Sequence, residues 1–307
     1  MTGHRVVVWG DVIDDIVVRP FGKVRPDTDT QAEIRSRPGG SAANVAAWLG
    51  RSGVLVDFVG RVGADDVARH EAELAALGVT PHLIADAELP TGTIVVIVDE
   101  ENGRTMLTQR GANRALRPAD IADSLLEGAV LTHFTGYSVF NGDHAPETTR
   151  AGLDAEFRAF FERSAAAGTA VSVDPGSAGF LRDYGPERFL ETIRGTTILL
   201  PNSDEARVLA GSDDDLEAAG ILARRFPVVV VTMGARGTIV ATSGAEPLVV
   251  PVEAIDRADT TGAGDAFAAG FLAAWLETPD AVLAAQRAAS LAAESLTRVG
   301  GRPTQPS

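Results

Sequence analysis

The chain has 307 residues, 45% hydrophobic and 22% charged, enough for one large α/β domain with an appendage or for two modest domains. Its 42 Asp and Glu outnumber 27 Lys and Arg; the net charge of −15 argues against a broad nucleic-acid or anionic-membrane surface and leaves any anionic ligand to local amides and a few arginines. Without cysteine there are no disulfides or thiolate metal sites, and with no apolar run near ~18 residues and no signal-like start, a cytoplasmic protein is the expectation.

Val6 to Trp9 is a short apolar run ending at Gly10-Asp11, the pattern of a buried strand reaching its carboxyl end. Val12 to Val18 is apolar but interrupted by Asp14 and Asp15. Burying both carboxylates is costly, so one is expected to face a cleft, while Asp14 is expected in a solvated turn. Arg19 to Pro38 is polar and holds three prolines, and Thr91–Asp99 with Arg104–Thr108 predicts two strands joined by Glu100-Glu101-Asn102-Gly103. Segments 16–37 and 91–109 together suggest a small, discontinuous β flap inserted in an α/β body. Between them, Gly39-Gly40-Ser41-Ala42-Ala43-Asn44-Val45-Ala46 opens an Ala-rich helix. The glycines permit close approach of a ligand to the backbone, though an ordinary helix start would look the same.

A regular alternation follows. Strands are predicted at Leu55–Val59, Val130–Phe134, Ala170–Asp174, Thr197–Leu200, Val228–Thr232 and Leu248–Val252. Helices are predicted at Asp65–Leu77, Pro118–Leu126, Pro146–Ala167, Asp204–Ala210, Asp213–Arg225, Ala266–Leu276 and Asp280–Arg298. Val/Ile/Leu strands alternating with helices imply a parallel sheet covered on both faces, with ligands at the carboxyl ends of the strands. Asp11, Asp15, Asp174, Asn202, Glu205, Thr232 and the Asp259–Asp265 loop all fall at such ends, an oxygen-rich rim suited to a hard cation such as Mg²⁺.

In Asp259-Thr260-Thr261-Gly262-Ala263-Gly264-Asp265-Ala266-Phe267, two glycines flank an alanine where loop becomes helix. Their amides and the helix dipole favour an anion, and Asp265 adds a carboxylate that needs a task or a cation. Taken alone, a simple N-cap explains it as well. Asn202-x-x-Glu205 is equally a capping box, and Thr232-x-Gly234-x-x-Gly237 equally a hairpin turn. A P-loop, a dinucleotide-binding Gly-x-Gly-x-x-Gly, a Gly-x-Ser-x-Gly elbow and His-Glu-x-x-His are absent, and the histidines at 4, 70, 82, 133 and 144 lack ligand spacing.

On the Gly39–Ala46 and Asp259–Phe267 signatures, supported in order by Gly10-Asp11 with Asp15, Asn202-x-x-Glu205 and Thr232-x-Gly234-x-x-Gly237, the whole chain resembles the ribokinase-like carbohydrate kinases, the PfkB family. The resemblance implies a Rossmann-type body with a β-sheet lid and ATP-dependent phosphorylation of a sugar hydroxyl. It makes Asp265 the general base and the amides of Gly262, Ala263 and Gly264 the anion hole. It implies that Asn202 and Glu205 organise Mg²⁺ and phosphates, Glu205 through water, and that Thr232, Gly234 and Gly237 line the nucleotide side. Asp15, Gly39, Gly40 and Asn44, with Asp11 beside them, would hold acceptor hydroxyls. Asp259 with Thr297–Gly301 resembles a K⁺ loop, and pairing of lids would give a homodimer.

Departures are also visible. Ser41 stands where typical ribokinases carry Lys, and Asp174-Pro175-Gly176-Ser177 lacks the Asn and Arg found in fructokinases and ketodeoxygluconate kinases. Arg110 is expected to pair with a surface carboxylate rather than reach an acidic or phosphorylated substrate. Two alternatives stand beside a sugar kinase. One is a nucleoside kinase, with Trp9, Trp48 and Phe58 as candidates for a base-stacking wall; the other is a non-catalytic sugar-binding regulator. A Rossmann oxidoreductase is weaker than either.

Overall fold

The β-branched run Val6–Val8 seeds the central sheet, because such residues pack well on a pleated surface buried on both sides. The computed structural model describes residues 3–99, 103–142, 147–252, 262–297 and 300–304. In chain order the elements are β1 (Arg5–Trp9), β2 (Ile13–Pro20), β3 (Ala32–Gly39), α1 (Ser41–Arg51), β4 (Leu55–Gly63), α2 (Val67–Ala75), β5 (Val79–Asp86), β6 (Gly92–Val98), β7 (Arg104–Gln109), α3 (Asp123–Glu127), β8 (Leu131–Thr135) and α4 (Glu147–Ala167). There follow β9 (Ala170–Asp174), α5 (Ala178–Tyr184), α6 (Pro186–Thr192), β10 (Ile198–Leu199), α7 (Ser203–Ala210), α8 (Asp215–Ala223), β11 (Val228–Thr232), β12 (Thr238–Thr242), β13 (Leu248–Val250), α9 (Ala263–Glu277) and α10 (Ala281–Leu296).

Nine strands form one sheet in the order β13-β12-β11-β10-β9-β8-β1-β4-β5. From β5 to β11 all pairings are parallel, whereas β11–β12 and β12–β13 are antiparallel. The expected parallel central sheet is thus present from β5 to β11 and carries an antiparallel edge. Only a tight turn separates β11 from β12, with the Met233 amide donating to the Gly237 carbonyl at 2.9 Å, and a turn that short permits only an antiparallel return. Strand β5 was not expected because Pro81 interrupts it; as an edge strand it tolerates the missing donor. The helix expected over Pro118–Leu126 is instead a 3₁₀ turn, Pro118–Asp120, followed by the short α3.

Two cores lie on opposite faces of the sheet. On one, α1, α9 and α10 pack Trp48, Phe58 and Phe271 against the strands; on the other, α4 and α6 to α8 enclose Trp9, Phe134, Phe157 and Phe160. Trp9 stacks on Phe134 with ring centroids 4.6 Å apart. Trp9, Trp48 and Phe58 are thus fully interior, which removes the base-stacking wall considered for them.

The second sheet has four strands in the order β3-β2-β6-β7. Register sets which residues share a row: Asp15 lies beside Ile94, and Ile94 beside Thr108, while Val96 lies beside Met106. Asp14 is a strand residue rather than a turn residue, and Arg69 grips its carboxylate in two hydrogen bonds of 2.8 and 2.7 Å. Among the described residues no helix is long and apolar enough to cross a membrane.

Candidate active site

A cavity of about 950 Å³ opens between the carboxyl ends of β1 and β8 to β11 and the alternate row of the second sheet that carries Ile13, Asp15, Ile94, Val96, Met106 and Thr108. Two helices point their first turns at it. Helix α1 begins after Gly40, whose φ of 93° and contact with the Asp11 backbone leave no room for a side chain. Having no side chain of its own to cap the helix, this start takes its cap from a distance. Asp11 Oδ2 accepts from the Ser41 amide at 2.7 Å, and Oδ1 accepts from the Ala42 amide at 3.2 Å and from Thr135 Oγ1 at 3.0 Å.

Helix α9 begins after Gly262, which has φ 76° and lies directly against Gly301. Among the described residues no side chain caps this helix, which leaves the amides of its first turn as donors for a ligand. A methyl group at Gly264 would meet no described atom within 4 Å outside its own turn of helix, because that side of the turn faces the cavity. Asp265, in the same turn, is gripped from α1: Ser41 Oγ donates to its Oδ1 at 2.6 Å and Asn44 Nδ2 to its Oδ2 at 2.8 Å. Burial raises the Asp265 carboxyl to about 6, the Ser41 and Asn44 bonds pull it down, and the Asp11 charge raises it. The result is a fixed carboxylate with a proton affinity near neutrality, suited to accept a hydroxyl proton.

Other acids share the cavity. Asp15 is raised to about 7, chiefly by burial, with Arg302 opposing. Glu205 is also raised to about 7 by burial, and Asp174, partly withdrawn from water and near the charges of Glu205 and Asp265, rises well above the usual carboxylate range. Glu205 Oε2 accepts from the Asn202 amide at 2.9 Å while Asn202 Oδ1 accepts from the Glu205 amide at 3.0 Å, so the capping box exists and its two members still line the cavity. Among the described residues no cluster of three or more acids is close enough to cage a metal directly. One or two carboxylates with water and phosphate oxygens is the way Mg²⁺ is commonly held, and Glu205 and Asp174 on this wall are oxygen donors of that kind.

Of the residues predicted from sequence, Asp11, Asp15, Gly40, Asn44, Asn202, Glu205, Thr232, Gly262, Gly264 and Asp265 line this one cavity. Asp11 does so with its carboxylate engaged by α1 and Thr135, so it shapes the acceptor side more than it offers a free ligand. Gly39 sits just behind the wall, with its carbonyl bound by Arg302. Ala263 is in the α9 first turn, and Gly234 and Gly237 form the β11–β12 turn away from the wall. Asp259 lies outside the described residues. Arg110 lines the cavity and is anchored by the Tyr137 carbonyl and by Asn141 Oδ1, at 2.6 Å, rather than held only by the surface carboxylate expected for it.

Tyr137, Phe180 and Arg302 belong to the site or its frame and were not anticipated, and Ser41, noted from sequence only as a departure from ribokinases, proves to grip Asp265. Ser41 carried a signal, since it sits in the Gly-Gly motif; the other three lie in no motif.

The family profile described as pfkB family carbohydrate kinase matches residues 4–307. An ATP-dependent ribose-1-phosphate kinase of Halopiger xanaduensis is 33% identical, over 97% of this chain and 94% of its own length. Among solved structures, a probable sugar kinase of Rhizobium etli has a TM-score of 0.84 at 25% identity and covers 99% of this chain and 97% of its own. An adenosine kinase of Sinorhizobium meliloti has a TM-score of 0.83 at 24% identity, over 98% of this chain and 96% of its own, a likeness of fold.

Proposed function

The chain belongs to the pfkB family of carbohydrate kinases, and on that premise we propose that Asp265 is the general base that takes the proton of an acceptor hydroxyl as it attacks the γ-phosphorus of ATP. The observation that carries this is the half-buried Asp265 carboxylate, aimed into the cavity and gripped by Ser41 and Asn44. The amides of Gly262, Ala263 and Gly264, at the positive end of α9, face the charge that builds on the transferring group. Attack forms the acceptor O–P bond and breaks the β,γ-bridging P–O bond; the proton passes to Asp265, and ADP leaves.

Glu205 and Asn202 would help to hold Mg²⁺, which when bound would supply charge neutralisation at the phosphates. Thr232 flanks the nucleotide side. Asp15, Gly40 and Asn44 orient the acceptor, and the four-stranded sheet serves as the lid over it. K⁺ at Asp259 is part of the same reading, and equal rates in K⁺ and choline buffers would remove it.

For the acceptor we infer a pentose or pentose phosphate. The likeness to the ribose-1-phosphate kinase supports it, as does Arg110 on the wall, a group suited to a phosphate. A nucleoside is the second reading, supported by Tyr137 and Phe180, which bring aromatic surface to the cavity that the three buried aromatics do not. A second copy pairing through the lid is supported by Ile34 and Leu107, which are 64% and 57% exposed on that sheet.

The test is ADP release with a panel of pentoses, pentose 1-phosphates, hexoses and nucleosides, run beside Asp265→Asn. The expected result is turnover with a pentose or its phosphate, reduced about 10²–10⁴-fold in Asp265→Asn. Wild-type rates in that variant refute the base, and silence across the panel favours a sugar-binding regulator.

A further inference from the structure

We propose that Arg302 is a positioning residue for phosphoryl transfer, fixing the Asn44 amide so that its nitrogen faces Asp265. The inference rests on the reading of Asp265 as the base. The two ends of an Asn amide have nearly the same shape, so neighbouring groups decide which end points where. Here Nδ2 donates to Asp265 Oδ2 at 2.8 Å, and Oδ1 faces Arg302 Nε at 3.4 Å. A guanidinium only donates, and an ionised carboxylate only accepts. Rotating the amide by half a turn would set oxygen against carboxylate and NH₂ against guanidinium, two repulsive contacts in place of two attractive ones.

The placement of Arg302 is unusual for a charged side chain. It is 9% exposed, and burying a guanidinium is unfavourable unless bonds and countercharge compensate. Compensation comes from the Gly39 carbonyl at 2.7 Å, from Glu73 Oε2 at 3.7 Å, and from the nearby charges of Asp15, Asp14 and Asp11. The same short segment is pinned to both catalytic helices. The Gly301 carbonyl accepts from Trp48 Nε1 of α1 at 2.9 Å, while Gly301 packs against Gly262 at the start of α9. Arg302 thus sets the register between the helix that carries Asn44 and the helix that carries Asp265. Lysine has a single head and cannot bond Gly39 and Asn44 from one rigid plane.

The experiment uses the full chain as wild type, Arg302→Lys, Asn44→Ala and the double variant, with Arg302→Gln carried in parallel so that either replacement decides. Two readouts are taken: kcat and KM with the acceptor found in the panel, and the NMR signals of the Asn44 side-chain NH₂, identified by their absence in Asn44→Ala. Expected is a loss in kcat of roughly 10- to 100-fold for Arg302→Lys, as for a misplaced reacting geometry, with KM for ATP nearly unchanged. In the Asn44→Ala background the same replacement should cost less than about twofold, because the two residues act as one unit. The Asn44 NH₂ pair should move toward a solvated amide. An equal loss in both backgrounds, or an unmoved NH₂ pair, overturns the proposal. The NMR readout needs no turnover, so a failure of the Asp265 reading and a failure of this one give different results.

Discussion

Replacing Gly264 by alanine should separate stability from activity in opposite directions. Position 264 lies in the first turn of α9 with no positive φ, and an added methyl meets no described atom within 4 Å outside its own turn of helix. Folding therefore has nothing to lose there. Alanine restricts the unfolded chain more than glycine does and favours helix, a gain of up to about 0.5–1 kcal/mol. For a chain of this length that is a rise in melting temperature of no more than about 2 °C. Activity should fall, because the methyl enters the space the amides offer to the phosphoryl group. Losing one anion-hole contact costs about 10²–10³-fold in kcat.

Gly262→Ala is the control. Its φ of 76° and its contact with Gly301 should destabilise by at least about 1–2 kcal/mol from backbone strain, before any clash is counted. Differential scanning calorimetry and ADP-coupled kinetics on the two variants read both axes. Gly264→Ala with kcat within threefold of wild type would refute the anion hole at α9, and a large drop in its melting temperature would refute the open space drawn there.

Ser41→Ala removes the 2.6 Å donor to Asp265 Oδ1, one of the two bonds that hold its carboxyl down, so the carboxyl should rise above about 6. The acid limb of kcat/KM should then move toward neutral pH, with activity at pH 6 falling more than at pH 8; parallel profiles would count against the contact. The stability of the ligand-free protein should decline from pH 6.5 to pH 8, above the range in which His70 and His133, lowered by burial to about 4 and 3, act with the opposite sign. Asp265, Asp15 and Glu205 have folded-state values raised to about 6, 7 and 7, so the folded chain binds protons more tightly than the unfolded one. The stability they contribute is full below about pH 4 and lost as pH rises through 6 to 7, each tenfold gain in a group's proton affinity on folding being worth about 1.4 kcal/mol. Asp57, Asp66 and Asp215, held below the usual range by their partners, act only in more acid solution. A melting temperature that rises over pH 6.5–8 contradicts the raised affinity of these acids, and added Mg²⁺ at pH 8 should restore part of the loss.

The two glycine-rich helix starts, the acids at strand ends and the alternation of apolar runs with helices were legible because each is local. A Gly pair before an alanine run or a valine run before Asp states its geometry within a few residues. What local pattern misstated follows from distance. The antiparallel edge at β12 and β13 was hidden because valine-rich strands look alike in either direction, and only the tight Met233–Gly237 turn decides. Trp9, Trp48 and Phe58 are as apolar in a core as in a ligand wall, and packing alone put them in the core. Asp11 seemed a free ligand until its carboxylate met the α1 amides.

The sequence by itself determined the chemistry on offer: a helix start able to take an anion, a carboxylate beside it, and a second such start with an amide side chain. Which of these groups meet was decided only by tertiary structure. Asp265 lies 224 residues from the Ser41 hydroxyl that grips it, and Asn44 lies 258 residues from the guanidinium that faces its other end. Contacts over such separations carry no periodicity or spacing, because the groups are aligned by helices packed on a common sheet rather than by the chain between them.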